Sequence, residues 1–419
     1  MKKRVVITGI GPVTSIGIGV RELWENLISG LKPEIRRVSR SISKTKSEFY
    51  IPFPDFKINN YDIPQYYDFL QAEDKLAITG AKLALEDAGY ELNCYDRKFS
   101  VAEESDISVI IGTGFTGLET AFHSYLSHLG IDYYSNRQNK KVTFNRMVIP
   151  LLMNNSPAAW ISVLFGLKGE SYVTSSSCAS GTNAIGQAFR KISDGYSQVV
   201  ITGGVENLQD ENFAIMRGFD ILGALTRSET GDPCPFSENR SGFLFSEGGG
   251  CILVLEELSH ALQRQATIYA EILNYSSNSE AYSILLMDPE GKQILKLFHD
   301  LFGFEKIDYL NAHGTGTITN DSIEADCICQ YFGNRETQPI INSTKGILGH
   351  TIGASGAIET AVTALSVSTS KIHRNLIDIP LKNLNLAKET IYKPIYKAVS
   401  VSYGFGGHNA GLLLGKFHE

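Results

Sequence analysis

The chain has 419 residues, of which 43% are hydrophobic and 20% are charged, and its formal net charge at pH 7 is −7. This composition predicts a globular protein with a large core, and the negative charge argues against general binding to nucleic acid or to a membrane surface, since those partners select for a positive field. No apolar stretch approaches the length that crosses a bilayer, and six cysteines in a chain of this length do not form a disulfide framework, so we expect a cytoplasmic protein.

The first half of the chain alternates between strand and helix signals. Three basic residues and an apolar run at the start resemble a secretory signal, but four glycines and a proline interrupt the run. We therefore predict a strand at residues 4–8, followed by a loop. Leu23 and Leu27 then lie one helical turn apart, and residues 73–88 predict a second helix. Further strands are predicted at residues 107–112, 172–174, 199–204 and 251–257. This alternation is typical of an α/β fold.

The second half repeats the alternation. Strands are predicted at residues 268–274 and 307–312 and near 339, 398 and 411, and helices at residues 291–301 and 322–332. Two similar strings, CASGTNAIG from Cys178 and HTIGASGAI from His350, begin helices of small residues that another backbone can approach closely. We therefore predict an internal duplication, with residues 1–255 as the half that carries the cysteine and residues 256–419 as the half that carries two histidines.

Cys178 has the sequence setting of a nucleophile. It follows a strand and the polar run TSSS, and it precedes a predicted helix. A sharp strand-to-helix turn places a thiol at the positive end of the helix, where the field favours thiolate over thiol, so we expect a lowered pKa for this cysteine. Cys94, Cys234 and Cys251 are interpreted as small buried core residues.

Two histidines lie in glycine-rich loops at strand ends. His313 lies in NAHGTGTITND, directly after a predicted strand, and His350 lies in STKGILGHTIGASG, before a helix. A lone histidine is more often a structural residue, but two histidines in glycine-rich loops at strand ends are candidates for a chemical role. Neutral imidazoles that donate N–H can polarise a thioester carbonyl and stabilise the enolate that forms when carbon dioxide leaves a malonyl group.

Charged and glycine-rich positions surround these residues in the sequence. Asp321 and Glu324 stand near a helix start, where capping and the helix dipole are sufficient reasons for both carboxylates. Lys345 needs an anionic partner if it is buried, and Glu324 is the candidate. The string GFGGHN at 404–409 predicts a turn whose backbone N–H groups can face an oxyanion. Phe405 within it is a gate or a core residue, and the sequence alone favours the core.

Four motifs in one order resemble the β-ketoacyl-ACP synthase family of the thiolase fold. They are SSSCASGTNAIG, NAHGTGTITND, NSTKGILGHTIGASGAIE and GFGG, and the resemblance covers nearly the whole chain from RVVITGIG to YGFGGHNAG. It implies an α/β thiolase-like fold in which two duplicated halves form a five-layer α-β-α-β-α core. It also implies that Cys178 is acylated, that His313 and His350 serve decarboxylation and condensation, and that Lys345 and Glu324, with Asp321 beside them, organise the site.

The resemblance implies a reaction and its partners as well. The backbone amides of Cys178 and Phe405 would form the oxyanion hole, and Phe405 would gate the pocket. The implied activity is decarboxylative Claisen condensation of malonyl-ACP with a cysteine-bound acyl chain to give 3-oxoacyl-ACP. The substrates would be carried on the phosphopantetheine arm of an acyl carrier protein, with no metal or other cofactor. Candidates for a basic patch facing such an acidic carrier are Arg137, Lys140, Lys141, Arg146, Arg190 and Lys191, although a solvated charged face is the simpler interpretation of each.

Within the family, the sequence favours the ketosynthase alpha subunit of a type II polyketide synthase over a fatty-acid elongating synthase II. The stretch FDILGALT lacks the arginine that fatty-acid synthases often carry at the position of Gly223, and GTGTITND is closer to polyketide sequences. The first alternative implies a heterodimer with a chain-length factor, and the second a homodimer. Two departures from the family pattern are His408, where a threonine is usual, and a short loop at residues 276–290.

Three rival interpretations remain open. A thiolase or other coenzyme A enzyme usually places a second cysteine near the C-terminus, and none follows Cys329. A nucleotide-binding dehydrogenase is suggested by GIGPVT, but Thr14 occupies the third glycine position of the fingerprint. A non-catalytic partner subunit that only shapes the pocket would carry the same fold, and the presence of Cys178 argues against it.

Overall fold

The computed structural model describes residues 2–101, 106–129, 146–377 and 379–418. The described residues contain eighteen β-strands: β1 Val5–Thr14, β2 Gly17–Ile18, β3 Arg36–Arg37, β4 Phe49–Ile51, β5 Leu92–Tyr95, β6 Lys98–Val101, β7 Ser108–Gly112, β8 Ser171–Thr174, β9 Val199–Asn207, β10 Phe245–Ser246, β11 Gly248–Glu257, β12 Ala270–Ser279, β13 Tyr309–Asn311, β14 Ile340–Asn342, β15 Lys371–Ile372, β16 Ile391–Tyr392, β17 Lys397–Gly404 and β18 His408–Gly415.

The same residues contain thirteen α-helices: α1 Val20–Ser29, α2 Arg40–Ser43, α3 Ala72–Asp87, α4 Leu118–His128, α5 Val148–Leu152, α6 Ser156–Phe165, α7 Ser180–Ser193, α8 Ala214–Ile221, α9 Leu258–Gln263, α10 Lys292–Phe302, α11 Ile318–Phe332, α12 Lys345–Leu348 and α13 Ser355–Thr369. Short 3-10 helices cover Ile58–Tyr61, Gln65–Phe69 and Ile352–Ala354. The predicted elements are present with shifted ends. The helix predicted at 322–332 begins four residues earlier, at Ile318.

The main sheet has the strand order β14-β13-β17-β18-β12-β1-β11-β9-β7-β8, and β2 pairs with β1 at its side. Numbered along the chain within each half, the five strands of both halves follow the same order, 3-2-4-5-1. The directions also agree, because the first two pairings are parallel and the last two antiparallel in each half. This agreement supports an internal duplication. The division at residues 255 and 256 stays a prediction, since β1 and β12 join the two halves in one hydrogen-bonded sheet.

Five layers follow from the packing of helices on these strands. Helices α7 and α13 lie between the two halves and share one buried core with both of them. Helices α3 and α6 cover the outer face of the first half, and α10 and α11 cover that of the second. The strands β9 and β11 are buried along their whole length, which fits the apolar runs within their sequences.

The two central helices approach closely because their contact surfaces consist of small residues. A Cβ added at Gly181 would lie 2.8 Å from the Ala357 nitrogen, and one added at Gly356 would lie 2.1 Å from Thr182 Oγ1. Larger side chains would separate the helices, which both begin near the same cavity. Within the described ranges, no helix combines the length and the apolar character that a bilayer span requires.

Candidate active site

Cys178 lies in a tight turn between β8 and α7. The turn uses Ser177 in the left-handed region, with φ 54°, which is a strained conformation for a residue other than glycine. Ser180 supports it, because its hydroxyl accepts a hydrogen bond from the Ser176 N–H at 2.9 Å and donates to the Ser177 carbonyl at 2.7 Å. The turn brings the sulfur to the head of α7, two residues before the helix begins, and only 5% of Cys178 is exposed.

The expectation of a lowered pKa for this thiol is wrong. Burial raises the pKa of Cys178 to about 11, although the Ser177 hydroxyl, the Lys345 charge and the Phe405 backbone N–H act in the opposite direction. Removal from water disfavours the charged thiolate more strongly than the helix end and these neighbours favour it. The thiol is therefore protonated at neutral pH, and it must lose its proton when its sulfur forms a bond to an incoming group.

His350 lies directly beside the sulfur, with 3.2 Å between its Nε2 atom and Cys178 Sγ. Its Nδ1 atom lies 3.0 Å from the Ser355 hydroxyl oxygen and 3.3 Å from the Ile352 backbone nitrogen, whose N–H donates to it. A ring nitrogen that accepts from an N–H carries no proton, so the neutral imidazole holds its proton on Nε2. That N–H points toward the sulfur and toward any thioester formed there.

His313 is fixed in the same tautomer by a lysine. Lys345 Nζ lies 3.2 Å from His313 Nδ1 and 2.9 Å from the His313 carbonyl oxygen, and an ammonium group can only donate. The His313 proton is therefore on Nε2. The centroids of the His313 and His350 rings are 5.6 Å apart. Burial, together with the Lys345 charge, holds the pKa of both imidazoles well below the ordinary 6.5.

An NMR titration should show both imidazoles neutral under mildly acidic conditions. With ¹⁵N-labelled histidine, we expect the signals of His313 and His350 to keep the Nε2–H pattern from about pH 8 to about pH 5.5, because burial disfavours the imidazolium. Single replacements assign the two signals, and exposed histidines in the same spectrum serve as the internal reference. A transition of either signal near pH 6.5 would contradict this description of the site.

The predicted partner of Lys345 is wrong. Its ammonium group forms an ion pair with Glu359 on α13, and each of the two residues is only 2% exposed. Glu324 instead accepts hydrogen bonds from the backbone N–H groups of His313 at 2.9 Å and Gly314 at 2.8 Å. Burial raises the pKa of both carboxyls to about 7. Glu324 thus holds the loop of His313, while Glu359 balances the lysine charge.

Asp321 has a comparable role on the first turn of α11. Its carboxylate accepts from the Phe236 N–H at 2.7 Å and from the Gly316 N–H at 3.1 Å. Both donors lie outside the helix. The carboxylate therefore does more than cap the helix and complement its dipole, the two roles that the sequence analysis considers sufficient. Asp321 and Glu324 together fix the loop between β13 and α11.

Replacing Lys345 with methionine should destabilise the protein by about 3 to 5 kcal/mol, because Glu359 would be left buried without its partner. Denaturant unfolding measures the change. Lys397→Met provides the matched control, since Lys397 pairs with Glu305 at the surface, where the loss should stay below about 1 kcal/mol. Equal losses in the two variants would refute the assignment of a buried ion pair.

The turn between β17 and β18 completes the site. Gly404 packs against the Cys178 backbone, since an added Cβ would lie 3.1 Å from the Cys178 nitrogen, and the Phe405 N–H is directed at the sulfur. Phe405 is 37% exposed, so its interpretation as a core residue is wrong. His408 begins β18 as an exposed residue beside Gly406, and the turn is formed with it in place.

One cavity of about 480 Å³ contains the reactive groups. Its lining includes Cys178, His313, His350, Phe405, Phe243 and Leu286. Among the described residues, no group of three or more His, Cys, Asp or Glu side chains is arranged to hold a metal ion. All six cysteines are free thiols, and Cys94 is exposed on β5, so its interpretation as a core residue is wrong.

The predicted basic patch receives little support. Arg190 stacks over the Tyr275 ring at 4.6 Å, and Lys191 pairs with Glu170 at 2.7 Å. Arg146 is exposed, and none of these three lines the cavity. Arg137, Lys140 and Lys141 lie outside the described residues.

Comparisons with family models and with curated proteins agree with one another. Family models described as the beta-ketoacyl synthase N-terminal domain and C-terminal domain match residues 2–261 and 269–377. A 3-oxoacyl-[acyl-carrier-protein] synthase 2 of Staphylococcus aureus strain COL is 34% identical over 433 aligned residues, covering 99% of each chain.

Two solved structures superpose over the whole chain. The ishigamide ketosynthase/chain length factor matches with a TM-score of 0.84 at 25% identity, covering 100% of both chains. A ketosynthase described in complex with its type II polyketide synthase acyl-carrier protein and bound to the hexaketide matches with a TM-score of 0.81, also at 25% identity and full coverage of both. The predicted thiolase-like α/β fold is thereby confirmed.

Proposed function

The chain belongs to the beta-ketoacyl synthase family, and from this membership we propose that it joins a carrier-bound malonyl unit to an acyl group held on Cys178. One observation carries the proposal. The Cys178 sulfur lies 3.2 Å from His350 Nε2 in a cavity that also contains His313. A nucleophile and two neutral N–H donors around one space are what acyl transfer and enolate formation require.

The first step is thioester exchange at Cys178. The sulfur attacks the carbonyl of an acyl group on the phosphopantetheine arm of a carrier protein, and the carbonyl oxygen develops negative charge near the Phe405 N–H. The pantetheine thiolate leaves and takes up the proton that Cys178 releases, so the exchange is proton-neutral. This balance suits a thiol that burial keeps protonated.

The second step is loss of carbon dioxide from the malonyl thioester. The electron pair of the broken C–C bond forms an enolate, whose oxygen can accept from the Nε2–H groups of His313 and His350. The enolate carbon then attacks the Cys178 thioester, and the C–S bond breaks to give a 3-oxoacyl thioester on the carrier and the Cys178 thiolate. The thiolate takes up one proton from solvent, which regenerates the thiol. The two imidazoles supply the charge stabilisation, and we propose no metal or nucleotide cofactor for the cycle.

A direct assay tests the activity. The purified chain, incubated with acyl-ACP and malonyl-ACP, should give an acyl adduct on Cys178 and then 3-oxoacyl-ACP, both detected by mass spectrometry. A chain that stays unmodified and forms no product would support a non-catalytic partner subunit instead.

Two product classes fit the family, and each has an observation in its favour. The similarity to ketosynthases of type II polyketide synthases supports a polyketide alpha subunit, as does Gly223, which lines the cavity where an arginine is frequent in fatty-acid synthases. The 34% identity to a 3-oxoacyl-[acyl-carrier-protein] synthase 2 supports fatty-acid elongation. We favour the polyketide assignment.

Supplying malonyl-ACP without any reductase separates the two classes. A polyketide subunit should extend the chain repeatedly, leaving several unreduced carbonyls, whereas an elongating synthase should stop after one condensation. Co-expression with a chain-length factor completes the test, because a heterodimer is expected for the first class and a homodimer for the second. In either case the proposed carrier partner is an acyl carrier protein, and the proposed location is the cytoplasm.

A further inference from the structure

Glu206, near the end of β9, is a buried carboxylate that the proposed reaction does not use. It is fully buried, and burial raises the pKa of its carboxyl, while hydrogen bonds from backbone N–H groups act in the opposite direction. Its oxygens accept from three backbone N–H groups in two separate segments: Gly114 at 2.9 Å, Phe115 at 2.9 Å and Gly353 at 2.8 Å. One side chain therefore connects the loop after β7 to the 3-10 turn before α13.

The two segments touch each other at this point. A Cβ added at Gly353 would lie 2.3 Å from the Gly114 nitrogen and 2.6 Å from Glu206 Oε2. A Cβ added at Gly114 would lie 2.6 Å from the same oxygen and 3.1 Å from Ile352 Cγ2. The close contact leaves no room for water to replace the carboxylate, so the three N–H groups depend on Glu206.

The residue before Gly353 is strained. Ile352 has φ 46°, and the left-handed region is unfavourable for a β-branched side chain. Such a conformation persists only where the surroundings enforce it. The Ile352 N–H donates to His350 Nδ1, which also lies 3.0 Å from the Ser355 hydroxyl oxygen. A hydroxyl can donate or accept, so of these two partners only the N–H fixes the tautomer. The Ile352 side chain packs in one apolar cluster with Cys178.

We propose that Glu206 is a positioning residue for His350, because it holds the strained Ile352–Gly353 turn whose N–H keeps the imidazole proton on Nε2. The inference rests on the proposed function only where it concerns turnover. Without the carboxylate, Ile352 can relax toward a common backbone conformation, and its N–H turns away from His350 Nδ1. The Ser355 hydroxyl, 3.0 Å from Nδ1, then remains as the partner of that nitrogen. Because a hydroxyl can either donate or accept, it allows the ring to carry its proton on either nitrogen.

Glu206→Gln tests the proposal, with Glu73→Gln as the matched control. Glu73 is also a buried carboxyl, but it accepts from the Gly117 N–H and from Asn207, and it does not contact the Ile352–Gly353 turn. We expect Glu206→Gln to lower malonyl decarboxylation by about 10- to 100-fold, the scale of a small misplacement of a catalytic group. Self-acylation of Cys178 should change by less than about threefold. Glu73→Gln should lower the free energy of unfolding, but it should not slow decarboxylation more than self-acylation.

A substrate-free measurement separates this inference from the proposed reaction. In ¹⁵N-histidine spectra, Glu206→Gln should change the His350 signal from the Nε2–H pattern to a mixture of tautomers, whereas Glu73→Gln should not. An unchanged His350 signal in folded Glu206→Gln overturns the positioning role, whatever the activity. Absence of decarboxylation by the wild-type chain would overturn the proposed function while leaving the spectral result valid.

A second variant addresses the strain itself. Glycine adopts positive φ without a Cβ penalty, so Ile352→Gly should reduce the need for Glu206. The fold-change caused by Glu206→Gln should fall to about threefold or less in the Ile352→Gly background. If Glu206→Gln does not fold, Glu206→Asp replaces it in both backgrounds, because the shorter carboxylate cannot reach all three donors. An equal fold-change in the two backgrounds would overturn the proposal.

Discussion

Replacing Cys178 with alanine should abolish acyl transfer and condensation while leaving the protein folded. Among the described residues, no other cysteine lines the cavity, so no second thiol there can take the acyl group. Loss of a covalent nucleophile removes the pathway rather than slowing it, and we expect condensation to fall by more than about 10⁴-fold. The change deletes one sulfur at a cavity wall, which should cost little stability.

Mass spectrometry after incubation with acyl-ACP measures the first effect directly. The wild-type chain should gain one acyl group and Cys178→Ala none. Cys251→Ala is the matched control, because Cys251 is also buried but lies on β11 and does not line the cavity. It should be acylated like the wild type. Retained condensation in Cys178→Ala would refute the covalent mechanism.

The same variant should still release carbon dioxide from malonyl-ACP. His313 and His350 remain in place, and the enolate needs their N–H groups rather than the sulfur. The enolate then takes up a proton and leaves as an acetyl group on the carrier. Complete loss of decarboxylation in Cys178→Ala would show that the sulfur, or the geometry it maintains, is needed for both steps.

Much of this site could be predicted from sequence because its residues occur in local patterns. Cys178 follows a strand and precedes a helix, and both histidines lie in glycine-rich loops at strand ends, so each position is fixed by neighbours in the chain. The matching small-residue helix starts likewise predicted two central helices that converge on one cavity. Local chain geometry determines all of these features.

The errors concern quantities that depend on distant residues. The thiol pKa is a balance between a helix end, which the sequence reveals, and burial by other segments, which it does not. The sequence predicts Glu324 as the partner of Lys345, yet the fold brings Lys345 to Glu359, fourteen residues further along the chain. A signal for Glu359 was present, since it is the only charged residue in the otherwise apolar and small sequence of α13. Glu206 had a similar signal as the acidic residue in the buried strand β9.

Replacing His350 with alanine should slow malonyl decarboxylation much more than self-acylation. The Nε2–H of His350 is one of two donors available to the enolate oxygen, and removal of one preorganised donor to a developing oxyanion typically costs about 10²- to 10³-fold. In the proposed acylation step the developing oxyanion is near the Phe405 N–H, and the proton of Cys178 passes to the departing thiolate. We therefore expect acylation to fall by less than about tenfold.

Two separate rates measure this division of roles: carbon dioxide release from malonyl-ACP, and the growth of the acyl adduct on Cys178 by mass spectrometry. His260→Ala is the control, because His260 is hydrogen-bonded to Glu256 and is not among the residues that line the cavity. It should leave the ratio of the two rates unchanged. If His350→Ala reduced both rates equally, the imidazole would act mainly on the sulfur 3.2 Å away, and enolate stabilisation would have to come from His313 alone.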